Sequence, residues 1–347
     1  MTILLRPHFK CSNIFKKRNY FLNHKQLLQI NSEERNLVWK PVPNKPLTVP
    51  LLVKSLGELS KFKLSALVVL TTMSGHVMAV SQLPVIHPSP TTNLALTLLG
   101  TTLCSFSANT LNQWAEAPLD AQMPRTLSRP LPRLILTPFA AFNWAIVSGV
   151  TGIGMLAFGV NPLAAGLAGL TIVLYGGIYT PLKRISILNT WIGALVGAIP
   201  PLIGWTAAWP SFTPAAFILP AVLFCWQFPH FNALSWNYRA EYARAGYKMA
   251  AVLNPKLNGR VALRYSFALI PITLAASAVS LTTPLFAITG NLANLPLIFQ
   301  AIRFWRNPTR KSARGLFFAS LIHLPLFMIL LFVHRKTDDN NSNKEVK

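Results

Sequence analysis

The chain has 347 residues, of which 52% are hydrophobic and only 12% are charged, about half the roughly 25% charged share of an ordinary soluble domain. This composition excludes a disordered chain and argues against a water-soluble globule. A formal net charge of +23 is often a sign of nucleic-acid binding, but apolar stretches throughout the chain favour instead a membrane protein with bases in short loops.

A basic arm occupies the first sixty residues. Several Lys and Arg residues precede the first acid, Glu33, and the segment lacks the apolar core of a secretory signal. The pattern predicts a mitochondrial transit peptide and basic N-terminal arm over residues 1–60. A cytosolic arm that contacts anionic lipid is the alternative.

Apolar segments follow one another from Leu64 onward, each of about twenty residues and each able to cross a hydrocarbon core of roughly 30 Å as a helix. They predict an all-α membrane protein with nine transmembrane helices over residues 61–334 and a polar C-terminal tail over residues 335–347. The predicted spans are residues 64–83, 93–111, 134–158, 162–180, 190–207, 213–234, 261–281, 284–302 and 315–333.

Loop charges give an orientation for these spans. The loops on the side of the N-terminus hold many Lys and Arg residues, and the loops on the opposite side hold none. Basic loops face the negative compartment. For a mitochondrial inner membrane we therefore expect the N-terminus in the matrix and the C-terminus in the intermembrane space.

Acidic residues are rare in the apolar part of the chain. Between Leu64 and Arg335 the only acids are Glu116, Asp120 and Glu241. Carboxylates near the apolar region of a membrane are costly and mark a functional site by default. The alternative is that each carboxylate simply pairs with a neighbouring Arg and holds a loop in place.

Asn112, Glu116 and Asp120 recur every four residues. On a continuous helix they would share one face about 6 Å apart, close enough to hold one divalent ion. Oxygen ligands of this kind suit Mg²⁺, which commonly takes one or two carboxylates plus substrate phosphate oxygens. Pro118 predicts a kink or an end of the helix, which would leave Asp120 in a loop.

Basic residues lie close to these acids in the sequence or in loops on the same side. Arg125, Arg129, Lys183 and Arg184 are the candidates. Guanidinium groups beside a Mg²⁺ site are suited to a diphosphate, because Arg binds its oxygens in a bidentate manner. The alternative is that they only set the topology, which we prefer for the bases between Arg303 and Arg314.

Five motifs carry a resemblance to a known family. They are the run Asn112 to Thr126 with Arg129-Pro130-Leu131, the segment Tyr179 to Arg184, the run Gly197 to Gly204, the segment Trp226 to Phe231, and Glu241-Tyr242 through Met249. In this order they resemble the heme O synthase (protoheme IX farnesyltransferase) family, in its mitochondrial branch, within the UbiA-type intramembrane prenyltransferases. The resemblance covers roughly Leu64 to Phe332.

The resemblance implies a nine-helix bundle around a central cavity, dependence on Mg²⁺, farnesyl diphosphate as donor and heme B as acceptor. It implies that a heme B vinyl group attacks the farnesyl cation and that water completes the product, heme O, a precursor of the heme A of cytochrome c oxidase. The metal-binding and catalytic residues would be Asn112, Glu116, Asp120 and Glu241; the diphosphate-binding residues Arg125, Arg129, Lys183, Arg184 and Arg244; and the heme-binding residues His230 and Tyr242.

Aromatic side chains near the basic side are candidates to face the carbocation: Trp114, Tyr175, Tyr179, Trp226, Phe228 and Phe231. Two other functions stay open at this point. A related prenyltransferase acting on a quinone-type acceptor would need the same acids and bases but no heme, and an ion-coupled carrier would also keep intramembrane acids, although carriers bind near the midplane. A homo-oligomer or a complex with heme A synthase is also open.

Overall fold

The computed structural model describes residues 48–82 and 89–336. Within these residues, nine helices are long and apolar enough to cross a membrane, which confirms the predicted number and the all-α fold class. Most of the predicted transit peptide and basic arm, and the tail after residue 336, lie outside the described residues.

Helices are numbered here in chain order. The nine spanning helices are α2 (Phe62–Val80), α3 (Pro90–Asp120), α4 (Pro138–Gly159), α5 (Pro162–Leu182), α6 (Asn189–Ala208), α7 (Pro214–Asn237), α10 (Pro255–Ala278), α11 (Leu285–Arg306) and α12 (Arg310–Val333). Three short helices accompany them: α1 (Val49–Leu59), α8 (Arg239–Arg244) and α9 (Ala250–Leu253).

The second span differs most from its prediction. Helix α3 continues through Pro118 to Asp120, so the expectation that the helix could end at Pro118 is wrong. A proline lacks an N–H donor and its ring crowds the carbonyl four residues earlier, but the helical bonding resumes when the Ala121 amide donates to the Ala117 carbonyl at 3.2 Å. Asp120 therefore stands on the same helix as Asn112 and Glu116.

Helix α1 lies within the segment that the charge pattern predicts to be a basic arm, and the apolar pattern does not predict a helix there. Its buried Leu59 packs against Leu131, Leu136 and Ala141, which lie in the α3–α4 loop and in α4. The Gln113 amide on α3 donates to the backbone oxygens of Glu58 and Leu59 at 2.9 and 2.6 Å. These contacts fix the end of α1 beside the functional part of α3.

The helices pack in a closed succession of neighbours. Helix α3 packs on α2 and α4, α4 on α5, and α5 on α6, while α2 returns to pack on α6. Helix α7 joins this half to the other, because it contacts α6, α10 and α12, and α11 lies between α10 and α12. The C-terminal end of α3 also packs on the end of α5.

Polar side chains face the interior of this bundle, and large apolar side chains face outward. Buried Ser65, Ser105 and Asn109 bond to one another between α2 and α3, whereas Phe158 is 96% exposed. Small residues let helices approach closely: a Cβ on Gly75 would overlap the Pro201 carbonyl, and one on Gly204 would overlap the Thr72 carbonyl. This distribution is the one expected of a protein whose solvent is lipid.

Candidate active site

One pocket gathers most of the residues that the sequence singled out. It lies where the C-terminal ends of α3 and α5 meet the α3–α4 loop and the α8 region. Seven predicted site residues line it: Asn112, Glu116, Asp120, Arg125, Arg129, Lys183 and Tyr242. The other lining residues are Lys61, Met123, Tyr175, Tyr179, Phe231, Tyr247 and Met249.

Asn112, Glu116 and Asp120 on α3 each accept a hydrogen bond from a different basic side chain. The Lys61 ammonium donates to Asn112 Oδ1 at 2.7 Å, and the Lys183 ammonium donates to Glu116 Oε1 at 2.6 Å. The Arg129 guanidinium lies 2.5 Å from Asp120 Oδ2. The cations come from the α1–α2 turn, the end of α5 and the α3–α4 loop, so three separate chain segments meet one helix face.

Burial makes these pairs energetically important. Asp120 is 1% exposed and Glu116 is 5% exposed. A buried carboxylate needs a cation partner, because desolvation costs several kcal/mol per ion. Asp120 also ends α3, where the partial negative charge of the helix C-terminus disfavours an anion. Arg129 and Lys183 therefore stabilise carboxylates that would otherwise be expelled from this position.

The pairing does not use all the oxygens. Among the described residues, Asp120 Oδ1 is buried and has no hydrogen-bond partner. An unpartnered buried carboxylate oxygen is costly, so it calls for a ligand that is missing from the protein itself. Because both carboxylates also line a common pocket, a metal ion there would have oxygen ligands at hand.

These donors fit Mg²⁺. No group of three His, Cys, Asp or Glu side chains that could hold a metal occurs in the described part of the chain, so the donors here are Glu116, Asp120 and the amide of Asn112. Mg²⁺ keeps several waters and is commonly held by one or two carboxylates together with substrate phosphate oxygens. Two carboxylates and an amide oxygen on one helix face satisfy that requirement.

Positive charge exceeds negative charge in the pocket. The described lining residues include two carboxylates, Glu116 and Asp120, and four basic side chains: Lys61, Arg125, Arg129 and Lys183. Burial, reinforced by the like charges of Arg129 and Lys183, lowers the pKa of Lys61 to about 7. The excess of cations favours an anionic ligand with several oxygens.

The phenols of the pocket do not reduce this excess. Burial raises the pKa of Tyr242 and of Tyr247 above the ordinary value for tyrosine, so both hydroxyl groups stay neutral near neutral pH. Their rings are 5.9 Å apart in an edge-to-face arrangement. They therefore contribute apolar ring surface and hydroxyl groups rather than charge.

Aromatic rings form one wall of the pocket. Tyr175 and Tyr179 stack with their centroids 5.2 Å apart, and the Lys183 ammonium lies 4.4 Å from the centroid of the Tyr179 ring. Both tyrosines lie in the π-helical turn Val173–Tyr179 of α5, a distortion that is frequent at functional sites. With Phe231 from α7 they provide ring faces that attract a cation.

The other sequence-predicted aromatic residues lie elsewhere. Trp114 is partly exposed and packs on Phe142, and Phe228 is fully buried and stacks on Tyr265 at 3.7 Å. Trp226 donates from Nε1 to the Ser320 carbonyl at 2.8 Å. Helical spacing alone did not distinguish these packing residues from Tyr175, Tyr179 and Phe231.

Three predicted charged residues are not among the residues lining the pocket. Arg184 is exposed beside Lys183. Glu241 and Arg244 belong to α8, which also carries the pocket residue Tyr242. Within the described residues, Glu241 Oε2 and Arg244 Nε are buried and have no hydrogen-bond partner, so both have unused bonding capacity close to the pocket in sequence.

His230 lies between α7 and α12 and does not line the described pocket. Its ring stacks on Trp226 at a centroid distance of 4.6 Å and lies 4.8 Å from the Phe317 ring. Its Nδ1 is 2.9 Å from Ser320 Oγ. The next residue, Phe231, does line the pocket.

Lys61 is the main residue that the sequence analysis missed. It is the first residue of the predicted bundle, residues 61–334, and neither the motifs nor the loop charges assign it a role. One feature of the sequence could have indicated it. Lys61 is the last base but one before a long apolar segment, and the helix opposite carries buried acids. Tyr247 was also missed, although it lies within the quoted motif that starts at Glu241.

Comparison with protein families gives a match over most of the bundle. The UbiA prenyltransferase family matches residues 68–322. Curated relatives include proteins named "Protoheme IX farnesyltransferase, mitochondrial" from Gibberella zeae (47% identical, over 80% of this chain and 60% of the relative) and Homo sapiens (46%, over 81% and 62%). A third, from Saccharomyces cerevisiae, is 41% identical over 80% of this chain and 64% of its own length. The chain thus spans about three fifths of the curated relatives that it matches.

Solved structures share the fold at low sequence identity. A digeranylgeranylglyceryl phosphate synthase superposes with a TM-score of 0.67 at 14% identity, covering 81% of this chain and 98% of that protein. A UbiA homologue from Archaeoglobus fulgidus bound to GPP and Mg²⁺ superposes with a TM-score of 0.59 at 12% identity, covering 80% and 99%. The arrangement of nine helices is therefore the fold of intramembrane prenyltransferases.

Proposed function

The chain belongs to the UbiA prenyltransferase family, and we propose that it transfers the farnesyl group of farnesyl diphosphate to a vinyl group of heme B, giving heme O and diphosphate. The observation that carries this proposal is the pocket in which Asn112, Glu116 and Asp120 each meet a cation from another segment. The names of the mitochondrial protoheme IX farnesyltransferases that are 41–47% identical support the choice of donor and acceptor.

The basic residues of the pocket bind the diphosphate of the donor. Arg125 and Arg129 have planar guanidinium groups that match two phosphate oxygens at once, and Lys183 acts as a point charge. Arg184 and Arg244 adjoin pocket residues in the sequence and are proposed to bind the same diphosphate. Glu241 also adjoins a pocket residue and is proposed for the metal. As the allylic C1–O bond breaks, its electron pair leaves with the diphosphate, and these cations stabilise the developing negative charge.

Asn112, Glu116 and Asp120 would hold Mg²⁺, with Glu241 as a further candidate ligand. Asp120 Oδ1, which is buried without a hydrogen-bond partner among the described residues, would be the oxygen most ready to bind. When bound, Mg²⁺ supplies Lewis-acid stabilisation of the charge on the leaving group.

The farnesyl cation that remains needs surroundings without water. Tyr175, Tyr179 and Phe231 line the pocket, and ring quadrupoles attract a cation. Apolar ring surface also keeps water away until the vinyl carbon of the acceptor has formed its bond to C1. Water then adds to the resulting cation next to the porphyrin ring and loses a proton, which gives the hydroxyethylfarnesyl group.

His230 and Tyr242 are the proposed contacts of heme B. A serine hydroxyl has one hydrogen, and Ser320 Oγ donates it to the Phe317 carbonyl at 2.6 Å. With the hydroxyl hydrogen on the Phe317 carbonyl, Ser320 Oγ would accept from His230 Nδ1 at 2.9 Å, and the lone pair of that tautomer lies on Nε2. An imidazole fixed in this tautomer is suited to bind iron, and Tyr242 lines the pocket on the donor side.

We propose the mitochondrial inner membrane as the location, with the N-terminus in the matrix and the C-terminus in the intermembrane space. The concentration of Lys and Arg in loops on one side supports this orientation. The pocket, whose residues cluster at the same end of the bundle as these loops, would then open toward the matrix face. The transit peptide over residues 1–60 and the polar tail over residues 335–347 stay proposals.

The direct test is a reconstituted reaction. Purified protein in lipid is incubated with Mg²⁺, farnesyl diphosphate and heme B, and the porphyrins are identified by mass. We expect heme O together with released diphosphate. Prenylation of a quinone precursor without heme O would assign the chain to the quinone branch of the family, and no diphosphate release under any condition would contradict prenyl transfer.

A further inference from the structure

We propose that Lys61 is an additional diphosphate-binding residue, held ready by Asn112 until the substrate arrives. The inference rests on the proposed function, because it assigns one more contact to the same donor site. Lys61 lies in the turn between α1 and α2, 51 residues before Asn112 in the sequence. Neither the motifs nor the predicted bundle boundaries assign it a role.

The backbone around Lys61 is built to aim this side chain. Lys61 has a φ of 48°, in the left-handed region that non-glycine residues rarely occupy. The turn is held on both sides: Gln113 bonds the Leu59 carbonyl at 2.6 Å, and Ser65 Oγ bonds the Ser60 carbonyl at 2.9 Å. Strained backbone that persists because its surroundings fix it is concentrated at functional sites.

Within the described part of the chain, the Lys61 ammonium bonds only neutral groups, and these bonds are weaker than the bond that a phosphate oxygen would make. It donates to the neutral amide oxygen of Asn112 at 2.7 Å and to the Tyr175 hydroxyl at 3.3 Å, and no carboxylate forms an ion pair with it among the described residues. Arg129 and Lys183, by contrast, already neutralise Asp120 and Glu116. Lys61 and Arg125 are therefore the two cations among the described lining residues that no carboxylate neutralises, and of the two only Lys61 donates to a residue of the metal-binding group, Asn112.

Binding of the diphosphate would give Lys61 a stronger hydrogen-bond acceptor and would free Asn112. A diphosphate oxygen offers the ammonium a charge-assisted hydrogen bond, which is roughly twice as strong as a neutral one. Asn112 Oδ1, once released, is available as an oxygen ligand beside Glu116 and Asp120. The Lys61 ammonium thus donates to the Asn112 amide oxygen in the free protein and donates to a diphosphate oxygen instead when the substrate binds.

The test is the affinity of the full chain in lipid for inorganic pyrophosphate with Mg²⁺. We expect Lys61→Met to weaken binding by about tenfold or more, the effect of losing one hydrogen bond between charged groups, and Lys61→Arg to restore most of it. The matched control is Lys63→Met, because Lys63 is an exposed lysine two residues further along. It should bind pyrophosphate within about twofold of the original chain.

Lys61→Gly separates binding from backbone strain. Glycine adopts a positive φ without penalty, so this variant should unfold no more easily than the original chain and should still bind pyrophosphate about tenfold more weakly. Unchanged affinity in Lys61→Gly would overturn the inference, even if Lys61→Met bound poorly or failed to fold.

The failure of this inference is distinct from failure of the proposed function. Heme O formation with pyrophosphate affinity that does not respond to Lys61 would overturn the role of Lys61 alone. Lys61-dependent pyrophosphate binding in a chain that forms no heme O would support the role of Lys61 and remove the proposed acceptor.

Discussion

Lys183 and Glu116, 67 residues apart in the sequence, are joined by a 2.6 Å bond between Nζ and Oε1 in the interior of the bundle. Both side chains are at most 10% exposed. The Lys183 carbonyl in turn accepts from the Lys248 amide at 2.7 Å. One residue therefore connects the helix that carries the acids, the end of α5 and the segment after α8.

Replacing Lys183 by Met should destabilise the protein by about 3 kcal/mol, because it leaves the Glu116 carboxylate buried without a cation. The double variant Lys183→Met with Glu116→Gln removes both charges and should recover most of that loss. The free energy of unfolding of the two single variants and the double variant gives the coupling between the residues. Equal destabilisation in Lys183→Met and in the double variant would contradict a buried ion pair.

Replacing Asp120 by Asn, or Glu116 by Gln, should reduce heme O formation at least about 100-fold while the protein still inserts in the membrane. The reason is that each change removes a charged oxygen from the group that would hold the metal at the leaving diphosphate. Product is measured by mass, and insertion by extraction of the membranes.

The matched control for these variants is Glu58→Gln, because Glu58 is an exposed carboxylate on α1 outside the pocket lining. It should keep its activity. Full activity in Asp120→Asn or Glu116→Gln would contradict the metal-binding role of that residue.

The sequence predicted the parts of the site that follow from local periodicity. Asn112, Glu116 and Asp120 share a face because residues four apart on a helix are neighbours, and they do so whatever the rest of the chain does. The nine apolar segments likewise predict spans from length alone. The expectation that the helix could end at Pro118 is wrong, because a proline near the end of a helix removes one hydrogen bond and the remaining residues can stay helical.

The parts that depend on long-range packing could not be predicted in this way. The bond between Lys61 and Asn112 depends on the turn after α1, which Gln113 holds in place. The orientation of His230 toward Ser320 depends on how α7 meets α12. The hydrophobic periodicity of the sequence does not indicate which of two adjacent residues, His230 or Phe231, lines the pocket.

Removing divalent metal should stop the release of diphosphate from farnesyl diphosphate. We expect a chelator to lower release at least about 100-fold, because the cations alone do not match the charge of the leaving group. Mg²⁺ should restore it, and Ca²⁺ should restore much less, because Ca²⁺ prefers more ligands at longer distances. Released diphosphate is measured directly, and the absorption spectrum of bound heme B serves as the control that the acceptor site is intact. Release that persists in chelator would exclude a metal from the ionisation step.

Replacing His230 by Ala should change the absorption spectrum of heme B bound to the protein, because Nε2 carries the lone pair that would bind iron. Added imidazole should restore the original spectrum by occupying the space left by the side chain. Ser320→Ala should give an intermediate effect, since it removes the acceptor that keeps the hydrogen on Nδ1. His334→Ala is the matched control, because His334 follows α12 and bonds Thr283 away from the pocket. An unchanged spectrum in His230→Ala, with heme still bound, would show that iron has another ligand and that His230 is a packing residue between α7 and α12.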